Sequence, residues 1–264
     1  MKILEQFIKG KNPDASLCED MLFISENFIA VIDGATAKTA KLFNGKSGGK
    51  AAAETICDAL KALDSHSTVY EAVNIITEKI SELYEPCEEK GAAAASAIIY
   101  SCYRKEIWCI GDCQCIINGE KYLHEKEIDR ILSEQRAQVI EDAIKSGATI
   151  EELSKNDVGR QAILPQLKEI HQLANKECPL GYDVFNGTPV PENLIKTYTV
   201  KENDIVVLAS DGYPNLQKTL EESEILLEKE ILENPLCYLR YKSTKGLSKG
   251  NLSFDDRTYI RFVV

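Results

Sequence analysis

The 264-residue chain has no apolar run approaching the roughly 20 residues that a membrane-spanning helix requires. Its opening, MKILEQFIKGKNPD, has neither the apolar centre of a signal peptide nor a small-residue cleavage site, so a cytoplasmic protein is expected. Positive charge is also in short supply. Lysine and arginine total 31 against 42 aspartates and glutamates, a net charge of −11 without a basic stripe, which argues against nucleic acid or an anionic membrane as partner. Only three histidines occur, His66, His124 and His171. They are scattered and far from the acidic motifs described below, so each reads as a surface or core residue rather than a catalyst. No Pro-, Gly- or Ser-rich linker and no internal repeat divides the chain, and a single domain over 1–264 is expected.

Cysteine is not scarce, yet its placement excludes a disulfide framework. There are nine, an odd number, spread singly through apolar segments in the manner of reduced, buried thiols. Cys109, Cys113 and Cys115 cluster in WCIGDCQCI, but without the C-x2-C spacing of a zinc site, and Cys113 and Cys115 would share one face of a strand.

Hydropathy periods give the order of elements. Strands are expected at Lys2–Phe7, Met21–Ser25 and Phe28–Ile32, the last two joined by the turn Glu26-Asn27. Ala52, Ile56, Leu60 and Leu63 recur at helical spacing, as do Val73, Ile76, Ile80 and Leu83 within a second helix over Tyr70–Leu83. Two apolar runs then flank Arg104-Lys105-Glu106 as a β-hairpin, and strands at Cys113–Ile117 and Lys121–Leu123 continue the meander. From His124 to Asn175 the chain is charged and helix-forming, a helical insert covering an edge or face. Strands return at Ile195–Val200 and Asp204–Ala209, helices at Leu220–Glu233 and Leu236–Tyr241, and a last strand at Thr258–Val264. Sequence-adjacent strands of this kind form mainly antiparallel sheets with helix pairs outside, an α+β architecture.

Four acidic motifs stand at strand boundaries: Glu19-Asp20 in CEDMLF, Asp33-Gly34 in VIDGAT, Asp211-Gly212 in LASDGY and Asp255-Asp256 in SFDDRTYI. A buried strand has no use for a carboxylate at its tip unless negative charge is needed there. Asp-Gly is a common turn dipeptide, and any one motif alone reads as a turn. Four together point to one site, where converging carboxylates repel unless cations neutralise them, and oxygen-only ligands suit magnesium, manganese or calcium. Glycine after Asp33 would let its bare backbone carbonyl approach a ligand closely.

In their order and spacing these motifs, with Gly111-Asp112 after the hairpin strand and Thr258 completing Asp255-Asp256-Arg257-Thr258, resemble the metal-dependent protein phosphatases of type 2C over nearly the whole chain. The resemblance implies a four-layer α-β-β-α sandwich of two mainly antiparallel sheets flanked by helix pairs, with metals in a cleft at one edge. It implies two divalent ions, magnesium or manganese, with Asp33 bridging them and the Gly34 carbonyl on one. Asp211 and Asp255 would complete the first ion's shell, and Glu19 and Asp20 would hold the second. Asp112 matches the residue that recruits a weaker third ion, and reads equally as a plain turn residue. The implied activity is hydrolysis of phosphoserine or phosphothreonine in a protein by a metal-activated water, with Asp33, Asp20 and Asp211 as catalytic residues. A small phosphate ester as substrate, or a catalytically silent binding module, are the alternatives.

Four departures concern the substrate side. The arginine that the family places shortly before Glu-Asp is missing from NPDASLC, leaving Lys9 or Lys11 as substitutes that lack its bidentate fork. Ala35 stands where many members have histidine. The Thr-x-Asp-His stretch after the hairpin is replaced by HEKEIDRILSEQ, and Asp256 replaces asparagine. FNGKSGGKAA mimics a P-loop but has the wrong spacing and no preceding strand, so it reads as a loop into a helix whose amides or lysines could attract phosphate. GYDVFNGTPVP either lines the cleft or crosses a sheet edge.

Overall fold

The computed structural model describes residues 1–36, 41–85, 88 and 90–264. In chain order the elements are β1 (Lys2–Lys9), β2 (Met21–Ile24), β3 (Phe28–Gly34), α1 (Gly48–Ala62), α2 (Val69–Ser81), β4 (Ala95–Ser101), β5 (Glu106–Ile110), β6 (Gln114–Ile117) and β7 (Glu120–Tyr122). There follow α3 (Glu127–Lys145), α4 (Ile150–Lys155), α5 (Val158–Glu169), β8 (Lys196–Thr199), β9 (Ile205–Ala209), α6 (Leu220–Glu233) and β10 (Arg257–Val263). No helix among the described residues is long and apolar enough to cross a membrane.

The strands form two five-stranded sheets, antiparallel throughout, in the orders β2-β3-β4-β5-β8 and β1-β10-β9-β6-β7. Alternation along β3 shows how they stack. Ile29 and Val31 point between the sheets, where they meet Val206, Leu208, Ile260 and Phe262 of the facing sheet. Phe28, Ala30 and Ile32 point the other way, onto Ala52, Ile56 and Leu60 of α1 and Val73, Ile76 and Ile80 of α2. A strand covered on both faces must be apolar at every position, which is why Phe28–Ile32 shows no period of two. On the far side Val207 and Ala209 pack beneath Leu227 of α6 and beneath Cys237 and Phe254 of an irregular segment. The layers are therefore helix, sheet, sheet, helix.

Two sequence expectations change. The strand after the hairpin does not continue the meander, because β5 and β6 lie in different sheets and the chain crosses between them at Gly111-Asp112-Cys113. Gly111 makes the crossing possible, with φ of +91° and a position where a Cβ would lie 2.2 Å from Ser96 Oγ. The helix expected at Leu236–Tyr241 is an irregular segment with Cys237 at φ +47°. The Cys109, Cys113 and Cys115 thiols are buried between the sheets.

The region from His124 to Asn175 holds α3, α4 and α5, with Leu132 of α3 against Ile163 and Leu167 of α5. Arg136, wholly buried, ties this region to the irregular segment: its guanidinium bonds Asp157 at 2.7 Å, the Ser243 carbonyl at 2.8 Å and the Cys237 carbonyl at 3.2 Å. Arg160 adds a bond to the Thr244 carbonyl at 2.6 Å.

The start of α1 is packed too tightly for any side chain. A Cβ on Gly48 would lie 1.9 Å from the Ala92 carbonyl oxygen. Gly48→Ala should therefore destabilise the fold by about 2–3 kcal/mol, measured as a lower urea midpoint at unchanged slope. A midpoint equal to wild type would mean that α1 can slide away from Ala92 at no cost.

Candidate functional site

The strand register brings the acidic motifs to one end of the sandwich. In one sheet, the end of β3 lies beside the start of β4 (Asp33 opposite Ser96) and the end of β5 beside the same strand (Ile110 opposite Ala97). In the other, Lys9 at the end of β1 pairs with Arg257 at the start of β10, and Ala209 at the end of β9 pairs with both Tyr259 and Gln114. Asp20, Asp33, Asp112, Asp211, Asp255 and Asp256 all lie on or next to these ends. A cleft of about 1320 Å³ opens there, with Asp33, Gly34, Asp112, Asp211 and Asp255 in its lining. Residues of α3 and α5 form a wall, among them Arg130, Glu134 and Lys168.

The glycine of each Asp-Gly pair lets a second acidic motif lie flat against it. A Cβ on Gly34 would sit 2.6 Å from the Glu19 carbonyl oxygen, and one on Gly212 would sit 2.0 Å from that of Asp256. Both glycines thus serve backbone packing, whatever else the Gly34 carbonyl does.

The carboxylates fall into three groups by their partners. Asp256, 3% exposed, accepts the backbone N–H groups of Lys11 at 2.8 Å and Glu19 at 3.0 Å, so each oxygen takes one. Asparagine has a single acceptor oxygen and could not bracket the β1–β2 connection in this way. Glu19 itself accepts from Ser47 Oγ at the N-terminus of α1.

Asp112 and Asp255 are held by lysines. Asp112 takes Lys126 Nζ at 2.6 Å and Ser96 Oγ at 2.6 Å. Asp255 takes Lys11 Nζ at 2.6 Å on one oxygen and the Lys245 ammonium on the other, and Lys11 also reaches Thr36 Oγ1 at 3.0 Å. Burial pushes both carboxyls up, but the ammonium groups outweigh it and hold both below their ordinary range.

Asp20, Asp33 and Asp211 have no lysine paired with them among the described residues. Asp20 is 2% exposed; Thr258 Oγ1 donates to its Oδ2 at 2.9 Å, while its buried Oδ1 has no hydrogen-bond partner. Burial, with repulsion from Asp256 and Asp211, pushes Asp20 up to about 8. Asp33 is raised well above its ordinary value by lost hydration and by Asp211 and Asp20. Asp211 is raised by lost hydration and by Asp255 and Asp112, although its side chain reaches solvent through the cleft. A divalent cation would relieve this repulsion and satisfy the orphaned oxygen, so the donor chemistry fits one. Among the described residues no three Asp, Glu, His or Cys side chains stand as a ready ligand shell.

Solved structures share this architecture end to end. The catalytic domain of the serine/threonine protein phosphatase PstP, in complex with two manganese ions, is 15% identical and superposes with a TM-score of 0.50 over 99% of this chain and 98% of its own. Stp1, a serine/threonine phosphatase from Staphylococcus aureus, is also 15% identical, with a TM-score of 0.50 over 98% of this chain and 94% of its own. The chain has the type 2C phosphatase fold. No family model and no curated protein matches its sequence.

Within the type 2C frame, the lysines are what sequence reasoning passed over. Lys11 was visible as a stand-in for the absent arginine; Lys126 and Lys245 carried no signal, lying in a helix start and a polar loop. Asp183 was also missed: it accepts the Gly111 N–H at 2.8 Å, and burial lifts it to about 6. Its loop does both things left open above. Phe185 pairs with Ala95 at the sheet, while Tyr182 and Asn186 line the cleft. At the start of α1, Ser47 caps the helix, Lys50 bonds the Cys18 carbonyl at 2.8 Å and Lys46 pairs with Glu54.

The raised carboxyls set a pH dependence. Asp20 ionises near 3.8 in an unfolded chain and near 8 when folded, so the folded state holds the extra proton between those values. Stability of the metal-free protein should then be lost as pH rises from about 5 to 8, with Asp33 and Asp211 adding in the same direction. Melting temperature in chelator should fall over that range, and Asp20→Asn should raise it much more at pH 8 than at pH 5. A flat profile would show that these carboxyls are not crowded.

Proposed function

We propose that this protein is a divalent-cation-dependent phosphomonoester hydrolase acting on phosphoserine or phosphothreonine in proteins. The observation that carries the reading is the trio Asp20, Asp33 and Asp211: Asp33 and Asp211 line the open cleft, Asp20 is buried behind them, each is raised by the others' charge or by neighbouring aspartates, and one Asp20 oxygen has no hydrogen-bond partner among the described residues. Asp20, Asp33, Asp211 and the Gly34 carbonyl, with Glu19 nearby, would hold magnesium or manganese, two ions in the full form, for which Asp255 must give up a lysine. Such ions, when bound, polarise phosphoryl oxygens and acidify a coordinated water.

The remaining roles belong to the chain. Thr258 fixes the rotamer of Asp20 through its hydroxyl. Asp256 fixes the backbone of Lys11 and Glu19 and so sets the distance between β1 and the acidic floor. Two ammonium groups, Lys11 and Lys245, meet at the carboxylate of Asp255, and Lys11 also lies 3.5 Å from Asp256. These two ammonium groups give a phosphoryl group a donor pair in place of the missing arginine. The cleft exceeds the usual range of pockets for small molecules, which supports a polypeptide substrate. The free cysteines among the described residues agree with a reducing, cytoplasmic setting.

Hydrolysis of para-nitrophenyl phosphate and of a phosphothreonine peptide, with manganese, with magnesium and with chelator, tests this. Turnover should need the cation and fall by at least about 100-fold in Asp33→Asn. Lys11→Ala and Lys245→Ala should each raise KM by about 10-fold with less effect on kcat. Bound manganese without turnover of either substrate would replace the hydrolase with a silent binding module.

A further inference from the structure

Asp112 also lines the cleft, beside Asp33, Asp211 and Asp255, at the crossing from β5 to β6. By position it is a natural ligand for an additional ion beside Asp33 and Asp211. Its surroundings say otherwise. Both oxygens are committed at short range, Oδ1 to Ser96 Oγ at 2.6 Å and Oδ2 to Lys126 Nζ at 2.6 Å. The Lys126 ammonium also lies 5.1 Å from the centre of the Tyr182 ring, which favours a cation there.

This pair differs from the lysines at Asp255. There Asp255 has an ammonium on each oxygen and Lys11 also lies 3.5 Å from Asp256, so Lys11 can leave Asp255 without stranding either group. At Asp112 a single ammonium serves the carboxylate and the pair is enclosed, with the two side chains only 17% and 19% exposed and Asp129 adding a second negative charge beside Lys126. Displacing Lys126 from Asp112 would therefore break a close ion pair in a largely enclosed setting, which is costly. The lysine is the residue immediately before α3, so its backbone is anchored by that helix.

We propose that the Lys126 ammonium is a tethered cation that takes the place of an inorganic ion at Asp112, giving the cleft a permanent positive charge that does not depend on metal supply. Burial alone would lower the basicity of Lys126, but Asp112 and Asp129 more than reverse this, so the group stays charged. The inference stands on the Asp112 contacts and rests on the hydrolase reading only in taking the cleft as the functional site.

The test is manganese stoichiometry of the full chain, measured by electron paramagnetic resonance and calorimetry, in wild type, Asp33→Asn, Asp112→Asn, Lys126→Met and the Lys126→Met/Asp112→Asn double variant. Asp112→Asn should leave the wild-type number of ions unchanged. Lys126→Met should gain one ion, and the double variant should lose it again. A drop of one ion in Asp112→Asn, or no gain in a folded Lys126→Met, overturns the proposal. If Lys126→Met does not fold, Asp112→Asn decides alone. Failure of the hydrolase reading looks different: wild type and Asp33→Asn both bind no manganese, and a gain in Lys126→Met then still upholds the tethered cation.

Discussion

Like charge crowded at one end of the sandwich is the constraint on which the rest depends. Six aspartates meet where strand ends from both sheets converge, in a protein already carrying a net charge of −11. The chain resolves the repulsion by three different means. Asp256 is answered by backbone N–H groups, Asp112 and Asp255 by lysines, and Asp20, Asp33 and Asp211 by no ion pair among the described residues. The first solution builds the frame, the second supplies fixed charge, and the third leaves a demand for cations. Structure and chemistry here share one cause.

Much of the frame was legible because it is written in local pattern. Helix α6 occupies the residues its periodicity indicated, and the hairpin around Arg104-Lys105-Glu106 lies where two apolar runs flank a charged turn. The order of acidic motifs along the chain was equally visible, since an apolar run that stops at Asp-Gly is conspicuous. The crossing at Gly111-Asp112 was not. Apolar strands of either sheet look alike in sequence, and which sheet β6 joins is decided by its pairing with β9, some ninety residues away.

Lysine partners were illegible for a related reason. A lysine reaches its carboxylate with a long, flexible stem, so Lys126 with Asp112 and Lys245 with Asp255 are fixed by tertiary placement rather than by spacing. The segment after α6 failed differently. Leu236–Tyr241 has helical composition, but the Asn234 side chain takes the backbone N–H groups of Tyr238 at 3.0 Å and Leu239 at 3.2 Å and bonds the Tyr241 carbonyl at 2.8 Å. One asparagine thereby supplies the hydrogen bonds that a helix would have made, and the chain is released from that form.

The buried Arg136 has a mechanical meaning. Its guanidinium grips the carbonyls of Cys237 and Ser243, and Arg160 grips that of Thr244, one residue before Lys245. Helices α3 and α5 are thus riveted to the strap that delivers an ammonium to Asp255. The region between His124 and Asn175 cannot be exchanged for a relative's equivalent as an independent cassette. A graft that kept every aspartate but lacked these two arginines would leave the strap unanchored, and the charge balance at the cleft floor would change without any substitution there.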